Sequence, residues 1–228
     1  GRDAIWTEKY RPESMDDGYV FPSATLQEQY AKWVEAGIFP SVMLKGEPGT
    51  GKSTLAAMMI KEFQIQQADV LHLDGSRENT MDVIRNRIEP FTKMTPLSSP
   101  FKVVLIEESH RLSGDAQSAL FEIIEKRNHV RFIFTTNYVN KFKKQLLSRF
   151  RVFDFSSHDD EAVLEYLAAI VEAEGHEIQD EDVETLVAHY DAHKPDIRAT
   201  IFSLQDALTK DGLAMPAGNG ASSAALED

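Results

Sequence analysis

Residues Gly46 to Ser53 read Gly-Glu-Pro-Gly-Thr-Gly-Lys-Ser, the spacing G-x-x-x-x-G-K-[ST], set between a short apolar run and a segment of helical period. Glycine lets consecutive backbone amides turn inward around a phosphate group without a Cβ in the way. Lys52 then supplies a point charge to β- and γ-phosphates, Ser53 a magnesium-ligating hydroxyl, and the following helix its positive end. The chemistry implied is nucleoside triphosphate binding with Mg2+, held by Gly46, Pro48, Gly49, Thr50, Gly51, Lys52, Ser53 and Thr54.

A second set begins 55 positions beyond Lys52. Val103-Val104-Leu105-Ile106 is an apolar strand that ends in Glu107-Glu108. Beside a phosphate loop, the first acid falls near the metal with Ser53, and the second falls where attacking water stands. Asn137 ends another buried run, Phe132–Thr135, and suits the γ-phosphate or that water. Phosphoryl transfer also needs positive charge from outside the loop, for which Arg149 and Arg198 are the candidates. His110 has no second His or Cys at ligand spacing and reads as a loop or helix-start histidine.

The elements that must carry these residues follow from hydrophobic pattern. Ser41–Leu44, Val70–Leu73, Val103–Ile106, Phe132–Thr135 and Val152–Phe155 are short apolar runs. They alternate with helical segments such as Lys52–Phe63, Met81–Ile88 and Ala116–Lys126. That alternation predicts a parallel five-stranded sheet covered on both faces, an α/β fold. After Ser156 the strand signal stops, and Ala162–Glu172, Asp182–Tyr190 and Asp196–Leu208 carry apolar stripes at helical spacing, predicting a small all-α lid. The expected organisation is a nucleotide-binding domain over residues 1–156, a lid over 157–210 and a disordered tail over 211–228.

Composition narrows the class. With 228 residues, 42% of them hydrophobic, and no uninterrupted apolar run of membrane-spanning length, a globular cytoplasmic protein is expected. Zero cysteines exclude disulfides, thiol catalysis and Cys-ligated zinc. The net charge of −13 is unevenly spread: residues 157–228 hold 17 acidic and 3 basic side chains, leaving residues 1–156 with 20 and 21. The first two-thirds are therefore electrostatically free to meet a phosphate backbone.

Taken together, these motifs resemble the clamp-loader branch of the AAA+ ATPases: replication factor C small subunits, archaeal homologues and phage large subunits. The resemblance runs from about Trp6 to Leu208. Trp6-Thr7-Glu8-Lys9-Tyr10-Arg11-Pro12 looks like the box that lies against adenine, which implicates Tyr10, Arg11, Pro12 and, further on, Val20 in nucleotide binding. Glu107-Glu108 resembles the Walker B acids, Arg131–Asn137 the first sensor strand, Leu147-Ser148-Arg149-Phe150 the S-R-C motif, and Pro195-Asp196-Ile197-Arg198 the second sensor helix. Asp74–Arg85 resembles the segment that opens a DNA-facing helix, so Asn79, Thr80 and Arg85 are the expected DNA contacts. Three departures stand out. The first Walker B acid is Glu107 where the family usually has Asp, Phe150 replaces the cysteine of S-R-C, and nothing after Leu208 resembles the family's helical collar.

The resemblance implies an ATP-driven motor subunit. It would assemble with sister subunits (a pentamer in the family), grip primer-template DNA and load a sliding clamp, with Arg149 reaching the neighbour's ATP. Two alternatives differ in class. One is a subunit that holds nucleotide with little hydrolysis, which Glu107 favours. The other is an AAA+ protein remodeller, which the 87–102 stretch disfavours because Phe91 and Phe101 lie in no aromatic-apolar-Gly pore triplet.

Overall fold

A computed structural model describes residues 4–218, which divide into two compact units: 12–158, and 4–11 together with 159–218.

The larger unit is built on five parallel strands, β1 (Val42–Lys45), β2 (Val70–Asp74), β3 (Lys102–Glu107), β4 (Val130–Thr136) and β5 (Arg151–Asp154), in the order β2-β3-β4-β1-β5. Period-two alternation sends the side chains of the central strands into two separate cores. Val42, Leu44, Val103, Leu105 and Ile133 face α2 (Ala24–Ala36) and α3 (Lys52–Glu62), meeting Leu26, Tyr30, Leu55 and Met59. Met43, Val104, Ile106, Phe132 and Phe134 face the other way, onto Ile84, Ile88, Leu120 and Ile123. Phe150, the residue at the S-R-C cysteine position, belongs to this second core, its ring 4.6 Å from that of Phe134. The aromatic substitution therefore fills core volume and leaves the neighbouring Arg149 at the surface.

Helical segment 81–88 runs further than its pattern implies. It comprises α4 (Met81–Val83), a π turn over Ile84–Ile88, and α5 (Glu89–Lys93). Pro90 has no N–H for the carbonyl of Asn86 and its ring crowds that carbonyl, so a widened turn just upstream accommodates the helix continuing through it. The same face of the sheet carries α6 (Gly114–Lys126), started by the Ser113 hydroxyl accepting from the Ala116 amide at 3.1 Å. A short α7 (Lys144–Leu147) leads into β5.

The smaller unit packs α8 (Asp160–Ala173), α9 (Asp180–His193) and α10 (Ile197–Ala207) with the opening helix α1 (Trp6–Lys9). Here the structure departs from the expected division at residue 156. Trp6 is buried, its backbone N–H donates to Gln205 Oε1 at 3.0 Å, and Lys9 and the Tyr10 hydroxyl both hold Glu174 Oε1, at 2.9 and 2.6 Å. The opening segment thus belongs to the helical unit. The tail also stays ordered longer than expected: β6 (Leu208–Thr209) and β7 (Gly212–Leu213) form an antiparallel pair. The Ala214 amide donates to Ala207 O at 3.0 Å. The rest of the expected disordered tail, 219–228, lies outside the described residues.

His189 ties this hairpin down. The Ala214 carbonyl can only accept, so Nε2–H donates to it at 2.8 Å, and Nδ1 accepts from the Ser203 hydroxyl at 2.6 Å. The neutral ring is thus fully satisfied, and burial lowers its pKa below the usual 6.5 against a smaller opposing effect of the Ala214 bond. A depressed histidine pKa contributes nothing above pH 6.5, where folded and unfolded rings are both neutral. Below it the unfolded ring protonates first and stability falls, by at most about 1.4 kcal/mol per pH unit for one group. The urea midpoint is therefore expected to drop between pH 7.5 and 5.5, with a shallower drop in His189→Gln. A midpoint constant over that range would contradict the buried neutral ring.

Candidate functional site

Three neighbouring parallel strands, β3, β4 and β1, end on the same side of the sheet, with Ile106 beside Phe134 and Thr136 beside Lys45. Carboxyl ends of parallel strands are where ligands bind in open α/β sheets, and all the predicted catalytic residues of the larger unit except Arg149 sit there.

The loop after β1 is anchored to β4, since the Gly46 amide donates to Thr136 O at 3.0 Å. Buried Thr50 donates its hydroxyl to Glu47 O at 2.8 Å, closing the loop on itself. Gly51 sits at φ +98°, a conformation L side chains rarely adopt, and delivers the chain into α3 at Lys52. Its carbonyl accepts from the Tyr19 hydroxyl at 2.8 Å, a support the sequence reading missed. Lys52 Nζ lies over the loop, donating to Glu47 O at 2.8 Å and to Gly46 O. Pro48 and Gly49 form the loop's outer turn and Thr54 lies in the first turn of α3.

The predicted metal pair is in contact. Ser53 Oγ donates to Glu107 Oε1 at 2.6 Å, and the other carboxylate oxygen, Oε2, lies 2.8 Å from His72 Nε2. A hydroxyl and a carboxylate facing each other at the end of a phosphate loop are hard oxygen donors of the kind Mg2+ takes alongside phosphates. They therefore fit the expected metal.

Glu108, next along, adopts the left-handed conformation at φ 51°, ψ 38°. For a residue with a Cβ that costs roughly 1–2 kcal/mol, and such outliers gather at functional sites. The conformation separates the two acids: Glu107 stays at the strand end while Glu108 turns away to within 3.5 Å of His110 Nε2. His110 itself is positioned by Thr136 Oγ1, 3.0 Å from Nδ1, and by the Tyr138 ring. Burial lowers its pKa, opposed by Glu108, so the ring stays neutral at pH 7. Among the described residues no cluster of three or more His, Cys, Asp or Glu could hold a metal. His110 lies in the tight turn Ser109–Arg111, with Thr136, Tyr138 and Glu108 around its ring.

Gly75 explains why this turn is tight. Its N–H donates to Glu107 O at 2.7 Å, and a Cβ there would sit 2.5 Å from Glu108 O and 2.7 Å from Glu107 O. Any side chain would push the backbone of both acids.

Asn137 follows directly on β4, at the same sheet edge as the loop. Arg149 does not join this cluster. It precedes β5, whose Arg151 pairs with Val42 at the start of β1, whereas the phosphate loop leaves the end of β1. Its guanidinium pairs with Glu125 of α6 and lies 5.5 Å over the Phe121 ring. Arg198 is exposed in the first turn of α10, in the helical unit.

Of the adenine box, Tyr10 and Arg11 belong to the helical unit, with the Tyr10 hydroxyl engaged by Glu174, while Pro12 and half-buried Val20 belong to the larger one. Of the predicted DNA residues, Asn79 Nδ2 donates to Gly75 O at 3.0 Å, which makes it a brace for the loop. Thr80 stands at the start of α4, and Arg85 is exposed in the π turn.

A family model described as "ATPase family associated with various cellular activities (AAA)" matches residues 42–157. The replication factor C small subunit of Halobacterium salinarum is 36% identical over 210 residues, covering 91% of this chain and 64% of that protein. Replication factor C small subunit 1 of Pyrobaculum arsenaticum is 33% identical over 207 residues, covering 89% and 61%. The chain thus spans a little under two thirds of the length of these relatives. The Thermotoga maritima RuvB Holliday junction branch migration motor superposes with a TM-score of 0.69 over 87% of this chain at 20% identity, a likeness of fold. No described helix is long and apolar enough to cross a membrane. A phosphate loop, its paired acids and a parallel sheet in this order, matched by the family model across half of the sequence, place the chain in the AAA family of ATPases, with replication factor C small subunits among its relatives.

Proposed function

We propose that the chain is an ATP-dependent motor subunit of a clamp loader, working with sister subunits to place a sliding clamp on primer-template DNA. The observation that carries the catalytic half is the 2.6 Å contact between Ser53 and Glu107 at the mouth of the phosphate loop, with Glu108 turned out beside it. The clamp-loading half rests on the kinship with replication factor C small subunits.

In this reading the loop amides and Lys52 hold the β- and γ-phosphates of ATP, and Tyr10, Arg11, Pro12 and Val20 attend the base. Ser53 and Glu107 hold Mg2+, which when bound neutralises charge on the phosphates. Glu108 takes up a proton from the attacking water as its oxygen bonds to the γ-phosphorus and the bond from that phosphorus to the bridging oxygen breaks, releasing ADP and phosphate; Asn137 orients the water, and Arg198 supplies positive charge. Arg149 completes the site of the neighbouring subunit. Thr80 and Arg85, at the start of α4 and in the π turn that follows it, meet DNA phosphates, with Asn79 bracing the loop before them. Such contacts are salt-dependent and indifferent to base sequence.

Lys52→Ala is expected to remove most affinity for ATP, measured by titrating a fluorescent ATP analogue in the presence of Mg2+. Equal affinity in wild type and variant would overturn the assignment of the site. Stimulation of ATP turnover by primed DNA and partner subunits separates the motor from a subunit that only holds nucleotide.

A further inference from the structure

The first Walker B acid is a glutamate, one methylene longer than the family's aspartate. An extra rotatable bond lets a carboxylate at a strand end sweep more space, and fixing it in one place costs side-chain entropy. Something must hold Glu107 if one of its oxygens is to stay at Ser53.

The structure supplies that group from the neighbouring strand. β2 runs parallel to β3, with His72 paired to Leu105 and Asp74 to Glu107. With a period of two, His72 and Glu107 project from the same face of the sheet, one step apart along it. His72 Nε2 lies 2.8 Å from Glu107 Oε2, while Oε1 accepts from Ser53 Oγ at 2.6 Å. An ionised carboxylate has no proton to give, so the imidazole donates through Nε2–H. Glu107 is thereby held at both oxygens, each by a single donor.

We infer that His72 is a positioning residue for the metal site: it fixes the Glu107 side chain so that the carboxylate meets Ser53 where the nucleotide's Mg2+ is held. This rests on the reading of Ser53 and Glu107 as metal-holding residues. The competing account is an incidental surface pair. The His72 and Glu107 side chains are 56% and 31% exposed, and such pairs contribute little to stability and nothing else. That exposure also makes replacement of His72 safe for folding.

The two accounts differ in what magnesium does. Groups that orient a metal's ligands typically cost 10–100-fold in metal affinity when removed, and a half-exposed partner belongs at the lower end. The test is binding of a fluorescent ATP analogue across a magnesium titration and in EDTA, for wild type, His72→Ala and His72→Gln. His72→Ala is expected to need about 10-fold more Mg2+ to reach half of the magnesium-dependent gain in affinity, with affinity in EDTA unchanged. His72→Gln, whose amide N–H occupies about the place of Nε2–H, is expected to recover most of the loss. An unshifted magnesium midpoint in His72→Ala, equal losses with and without Mg2+, or a Gln variant as impaired as Ala would each overturn the proposal. Wild type with no magnesium-dependent gain would instead overturn the metal reading of Ser53 and Glu107 itself.

Discussion

Glu108→Gln is expected to bind ATP as tightly as wild type while hydrolysing it about 10²-fold or more slowly, the scale of losing a general base. The amide is close to isosteric with the carboxylate, so the loop and the metal pair are untouched and only proton affinity at the water's position is lost. The structure favours Glu108 over Glu107 for this task. Glu107 has both oxygens committed, to Ser53 and His72, whereas Glu108 is turned out at φ 51° with its side chain 53% exposed and oriented by neutral His110. Single-turnover hydrolysis in an assembled complex, beside equilibrium nucleotide binding, separates the two acids. Glu107→Gln is expected to raise the magnesium requirement, and Glu107→Asp, closer to the family pattern, to leave turnover equal or higher. If Glu107→Gln were instead the variant with intact magnesium-dependent binding and lost hydrolysis, the roles of the two acids would be reversed.

Much of this site was legible because its parts are local in sequence. The phosphate loop is eight consecutive residues with its own helix behind it, and Glu107-Glu108 ends a run of four apolar residues that only a buried strand explains. The central strands β1, β3 and β4 are likewise short and mostly apolar, which is what burial on both faces requires.

What stayed hidden depends on partners far apart in the chain. Tyr19 supports Gly51 from 32 residues away and His72 meets Glu107 across 35. Neither residue belongs to a motif, and only the register of β2 against β3 brings the histidine to the acid. The role of Gly75 stayed hidden because its true neighbour is the backbone of the two acids, which no residue pattern records. The domain boundary failed for a similar reason. A four-residue helix has no periodicity to read, and the contact that assigns it to the helical unit, Trp6 with Gln205, spans 199 positions. The β6–β7 pair is two residues per strand, too short to show alternation.

Arg149→Ala and Lys52→Ala subunits, each nearly inert when assembled with copies of itself, are expected to recover turnover when mixed. The argument begins from the sheet. Arg149 lies two residues before Arg151, which pairs with Val42 at the start of β1, while the phosphate loop follows Lys45 at its end. Three residue steps at about 3.3 Å put these two positions roughly 10 Å apart along the strand, at opposite ends of the parallel strands. The arginine is therefore placed away from its own nucleotide site. What holds it in the single chain is weak: an exposed pair with Glu125 and the nearby Phe121 ring, on the order of 1 kcal/mol. A finger across an interface accounts for about 10³–10⁵ in rate, equivalent to roughly 4–7 kcal/mol in the transition state. In the proposed assembly, giving up the Glu125 contact is a small loss beside that transition-state gain. In a mixed ring, a Lys52→Ala neighbour offers an intact Arg149 to the intact loop of an Arg149→Ala subunit, so some sites are complete. ATP turnover in mixed assemblies, with ring formation checked independently, measures this directly. Rings that form without any recovery would show that Arg149 acts on its own chain or serves only the interface.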